Sequence, residues 1–158
     1  MLRSQSPTLL LFALSSLCSL HYLGSTDVGN LQAAGRDWIT VEEHGEWTAI
    51  THRKETKPSY AILDKQGLGG GIAYSIRASE HVQQGAWVRS FPVTGGKHYR
   101  ISAWRRTVDV KSPRRSTVIK ATFLDNENGL VDGSHGDLVR PLFPKDQNRF
   151  DGDWQLVG

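Results

Sequence analysis

The sequence predicts an all-β protein, an antiparallel β-sandwich. Three features carry that expectation. Between Trp87 and Asp125 the runs WVRSFPV, HYRISAWRRTV and STVIKATFLD alternate apolar and polar residues, the period of a strand with one buried face. The runs are separated by Gly95-Gly96 and by KSPRR at 111–115, which interrupt extended chain. Beyond the first two dozen residues, no segment places apolar residues at helical spacing over a useful length.

The other elements follow in chain order. With 158 residues, the chain is long enough for one domain around one core. Charged residues make up 22%, which fits a globular protein and not a disordered one. A formal charge of +3, spread along the chain, does not argue for nucleic acid. Residues 1–24 read as a signal peptide or N-terminal anchor. Arg3 supplies the positive start, and Thr8 to Leu20 forms an apolar stretch too short for a membrane span. Export to the periplasm, the cell surface or the medium is therefore expected, with membrane contact only if the segment stays uncut. Small residues at Gly24-Ser25 and Ala33-Ala34 offer cleavage points. The sole cysteine, Cys18, lies in this segment behind Leu17, which is not the small residue a lipoprotein signal needs. Without the segment, the chain has no cysteine for a disulfide or a thiolate site.

Residues 25–35 read as a linker and 36–158 as the β module. Asp37 to Ile50 suggests two strands around His44-Gly45, with Trp38 and Trp47 in the core. Tyr60 to Leu63 suggests a short strand, and Gly67 to Gly71 a turn. Alternation then turns Ile72, Tyr74, Ile76 and Ala78 inward, followed by Trp87, Arg89, Phe91 and Val93. Next come Tyr99, Ile101 and Ala103, then Ile119, Ala121 and Phe123. Lys120 and Thr122 face outward. Residues 135–148 read as a long loop. Asp153 to Gly158 reads as a strand with no successor, so the sandwich is expected to be incomplete at its C-terminal end. Its open edge would be available for pairing with another chain.

The run from Ala86 to Val131 resembles the galactose-binding-domain-like jelly rolls used as carbohydrate-binding modules. The resemblance rests on Phe91-Pro92-Val93, on GGKHYRISA at 95–103 and on the later Asp125-to-Gly129 turn. The element KSPRRS at 111–116 looks like the N-terminal module that precedes carbon–nitrogen hydrolase (nitrilase-type) domains in some secreted bacterial proteins. The resemblance implies a jelly roll, with further strands after a tryptophan-led one such as 152–157. The hydrolase's Glu, Lys and Cys set has no matching positions here, so none of it carries over.

The best binding candidate is the outward row Arg77, Arg100, Ser102, Trp104, Arg106 and Lys120. Sugar rings present flat C–H patches that pack on indole faces, and their hydroxyls bond to Arg, Lys and Ser. The plainer alternative is that a loop covers Trp104 and the arginines form a solvated face. The basic cluster at Lys111, Arg114 and Arg115, with Arg105 and Arg106 nearby, reads more simply as a solvated loop, since no stacking series accompanies it. The six histidines, His21, His44, His52, His81, His98 and His135, lack metal-ligand spacing. Asp125, Glu127 and Asp132 could hold a structural Ca²⁺, but an Asx-rich turn explains them as well. No cofactor motif is present; Gly67 to Gly71 lacks the context of a phosphate loop, and no nucleophile motif occurs. The expectation is a non-catalytic accessory module that binds carbohydrate. The alternatives are the front of a carbon–nitrogen hydrolase or a partner-docking domain.

Overall fold

The computed structural model describes residues 8–14, 17–19, 39–44, 46–95, 97–125, 127, 129–131 and 141–158. The strands, in order, are β1 (Thr8–Leu14), β2 (Leu17–Ser19), β3 (Ile39–His44), β4 (Trp47–Thr51), β5 (Ser59–Leu63), β6 (Ala73–Arg77), β7 (Gly85–Pro92), β8 (Ala103–Arg106), β9 (Ile119–Leu124), β10 (Asp146–Asp151) and β11 (Trp154–Val157). One helical turn, α1 (Pro113–Ser116), sits between β8 and β9. The strands form two sheets, β3-β4-β7-β1-β9 and β10-β11-β8-β2-β6-β5. Every strand pairing among the described residues is antiparallel, so the protein is all-β.

The two sheets share one core, which gives the molecule its sandwich-like character. Trp47, Ala49, Trp87, Phe91, Ile119 and Ala121 come from the first sheet; Ile76, Ala103 and Val157 come from the second. Tyr74 bridges Trp47 and Trp87, with ring centroids 4.9 and 5.3 Å away. Trp87 Nε1 donates to the Ser75 carbonyl at 3.1 Å, so its one polar atom is satisfied inside the core. Tyr60 donates its hydroxyl to the Ile50 carbonyl at 2.5 Å, tying β5 to β4 across the layers. Gly85 makes that approach possible, because a Cβ there would lie 1.8 Å from the Tyr60 hydroxyl oxygen.

A second apolar layer covers the outer face of the first sheet. Ile50, Ala86, Val88 and Leu124 pack there with Leu130. Thr122, expected to face solvent, is buried as a result. Simple alternation hides this layer because its members on β7 and β9 sit at the positions a half-solvated strand would expose.

Other expectations need correction. The strand expected from His98 to Val108 shrinks to Ala103–Arg106. Tyr99 is 43% exposed instead of inward. Its hydroxyl accepts from Thr94 N at 2.7 Å and donates to the Thr94 carbonyl, so the ring closes a turn rather than entering the core. Ile72 and Ala78 are exposed because β6 stops short of both. Arg89 does point inward, where it pairs with Glu46 and stacks over Phe91 at 4.6 Å. The long loop expected at 135–148 gives way to a strand from Asp146. The final strand, β11, is not an open edge; β8 pairs with it on one side and β10 on the other. The apolar segment expected to lie outside the module as a leader contributes β1 and β2, one in each sheet. Trp38, His21, Asp132 and His135 lie outside the described residues. Among the described residues, no helix is long and apolar enough to cross a membrane.

Candidate ligand-binding face

The face is built on β8. Its burial alternates, with Ala103 and Arg105 buried and Trp104 and Arg106 half-exposed. The backbone therefore turns the tryptophan and Arg106 away from the core. Arg105 is 4% exposed yet well satisfied. Its Nη1 donates to the Thr117 carbonyl at 2.9 Å. Its Nη2 reaches Asp146 Oδ2 at 2.8 Å and Gln155 Oε1 at 2.9 Å. A buried guanidinium needs such partners, because its charge is costly to desolvate. One side chain thus locks β8, β10, β11 and the end of α1 together behind the exposed face.

Opposite Trp104 in register stands Leu156 on β11. Two residues earlier, Trp154 is buried, and the Arg106 guanidinium lies over its ring at 5.1 Å. Arg106 Nε has no hydrogen-bond partner among the described residues, so stacking on indole is what holds this group. Arg149 on β10 lies over the Trp104 ring at 5.8 Å. The β10–β11 turn is Gly152-Asp153, with Gly152 at φ +56, the left-handed region that favours glycine.

Beside Arg106 opens a groove of about 430 Å³, lined by Arg106, Thr107, Val108, Phe150, Gly152 and Asp153. Phe150 is 59% exposed and Val108 65%, so apolar surface faces water at its rim. The groove combines an aromatic ring, a guanidinium and a carboxylate. That set can pack on a sugar face while bonding its hydroxyls as donor and as acceptor.

The structure brings together only part of the row read from the sequence. Trp104 and Arg106 are neighbours on one face. Ser102 and Arg100 are exposed in the segment leading into β8. Arg77 lies on β6, two strands from β8 with β2 between them, a lateral offset of roughly 9–10 Å. Lys120 belongs to β9 in the other sheet and does not join the row. The row overlooked Arg149, Phe150, Asp153 and Trp154. Their signal was present as Asp151-Gly152-Asp153 between two short runs, a hairpin pattern.

The basic loop residues Lys111, Arg114 and Arg115 are exposed. Among the described residues, no group of three or more His, Cys, Asp or Glu is placed to hold a metal ion. Asp125 instead closes an Asx turn, its Oδ1 accepting from Glu127 N at 2.9 Å and Gly129 N at 2.7 Å.

Fold and face together define an all-β, two-sheet protein with an aromatic and cationic groove at one end of its second sheet. Compared with known proteins, the chain matches no family model, no curated protein and no solved structure.

Proposed function

We propose that the protein is a non-catalytic, carbohydrate-binding module of the jelly-roll kind, and that its ligand lies across Trp104 and the groove beside Arg106. One observation carries this reading. An exposed Phe150 lines a groove that also holds Arg106 and Asp153, and the outward Trp104 stands two residues from Arg106 on β8. A solvated surface has no use for an exposed aromatic ring at an open recess and an outward indole on the strand that reaches it. Arg149 covers Trp104 from an exposed position, so an incoming sugar ring can displace it without opening the core. As an accessory module the protein would hold a catalytic partner, such as a carbon–nitrogen hydrolase, close to a polymer.

Affinity electrophoresis in gels loaded with neutral and acidic polysaccharides tests the proposal. Wild type should be retarded by at least one of them. Trp104→Ala and Phe150→Ala should each weaken binding about tenfold, near 1.4 kcal/mol. Lys120→Ala, on the other sheet, should leave retardation unchanged. Equal mobility of wild type and both aromatic variants on every polymer would reject the assignment.

A further inference from the structure

Strand β1 sits between β7 and β9, and β2 sits between β8 and β6. Thr8 to Leu14 pairs residue by residue with Pro92 to Ala86 on one side, and Thr8 to Ala13 with Leu124 to Ile119 on the other. Cys18 pairs with both Tyr74 and Arg105. Both elements come from the stretch whose sequence looks like a removable leader.

Consider each sheet without them. In the first sheet β9 has no other strand neighbour among the described residues, only the isolated bridges from Ala121 to Leu142 and from Leu124 to Leu130. Yet β9 carries Ile119 and Ala121 into the shared core and Leu124 into the outer layer. In the second sheet, the β10-β11-β8 part separates from β6-β5. A gap of one strand leaves rows of backbone N–H and C=O groups unpaired on both of its sides, and buried groups of that kind cost free energy comparable to lost hydrogen bonds.

The composition of the segment fits the slot for a separate reason. The first sheet is covered on both faces, by the shared core and by the Leu130 layer. A strand placed between two such faces must be apolar at odd and even positions alike. TLLLFAL at 8–14 has that composition and carries no charge.

From this we infer that Thr8–Leu14 and Leu17–Ser19 are retained as structural strands of the folded protein. The β7–β9 and β6–β8 gaps are a receptor for one extended apolar segment, and its occupant is the chain's own N-terminal stretch. The segment cannot serve as a strand while a membrane or a secretion channel holds it, so folding of both sheets waits on its release. This inference is independent of what the Trp104 face binds.

Hydrogen–deuterium exchange on the full chain is the first test. Amides of Thr8–Leu14 should be protected to within about tenfold of those of Trp87–Phe91, since both belong to the sheet interior. Exchange of 8–14 within seconds, beside a protected β7, overturns the inference. The second test inserts a protease site after Gly24 and nicks the folded full chain. The short fragment should co-elute with the remainder in native gel filtration and separate only in denaturant. Free separation, with the melting temperature of the remainder unchanged, also overturns it. Leu11→Pro should lower the melting temperature by several degrees or more, because proline cannot supply the N–H that a central strand needs.

Discussion

Burial between Trp47 and Trp87 pushes the Tyr74 phenol above its ordinary value near 10, with Arg89 pulling the other way and Glu46 adding to the rise. The sign of the consequence follows from linkage. Below about pH 10 the phenol is neutral in both folded and unfolded chains, and its contribution is fully present. As pH rises past that value the unfolded chain ionises first, so stability falls until the raised folded value is passed. Between pH 8 and pH 11 the wild type should therefore lose more melting temperature than Tyr74→Phe, so that the difference between the two changes with pH. A constant gap across that range would show that the phenol titrates alike in both states. Arg89 makes this arrangement tolerable. Its charge lies on the inner side, paired with Glu46 and over the Phe91 ring. Alternation placed Arg89 inward correctly, but the sequence has no means of naming Glu46 as its partner.

Elements β8, β10 and β11 act as one unit because Arg105 joins them. Hydrogen bonds from its guanidinium reach Thr117, Asp146 and Gln155, and Gln155 Nε2 in turn donates to the Gln147 carbonyl at 3.1 Å. Replacing Arg105 by Met removes the charge but leaves three acceptors without their donor. We expect a loss of about 3 kcal/mol in urea denaturation, the usual cost of breaking a buried pair. Asp146→Asn should cost less, since Asp146 is 23% exposed and Arg105 keeps two of its partners. A larger loss for Asp146→Asn than for Arg105→Met would mean that the carboxylate, not the guanidinium, organises this unit. The two effects also bear on the binding face, because β8 carries Trp104 and Arg106 on its other side.

At the scale of the molecule, much of the strand content is legible in the sequence, and the layering is not. Alternation locates the body of β6, β7 and β9 and turns Trp104 and Arg106 outward. It does not say which strands share a sheet. That is why Lys120 and Arg77 entered one row with Trp104, although β9 belongs to the other sheet and β6 lies two strands from β8. The apolar run at 8–14 is ambiguous for a physical reason: a leader and a strand covered on both faces have the same composition. The groove is not legible in the same way, because Asp151-Gly152-Asp153 marks a turn while the polar stretch around Phe150 has no alternation that assigns its side chains to a face.

The same layering yields a test of how the fold is held. Ile76 belongs to the core between the sheets, and Leu124 to the layer outside the first sheet; both are buried, and neither cluster contains a member of the other. Truncating either to alanine should cost about 2–4 kcal/mol. Because no packing partner is shared, the double variant should lose the sum of the two, to within about 0.5 kcal/mol. Ile76→Ala combined with Trp87→Phe, two members of one cluster, should instead depart from additivity as the remaining side chains repack around a common void. Denaturant titrations of the five variants, analysed at a common slope, supply both coupling energies. Strong coupling between Ile76 and Leu124 would show that the first sheet transmits strain from one face to the other, and the two layers would then have to be treated as a single core.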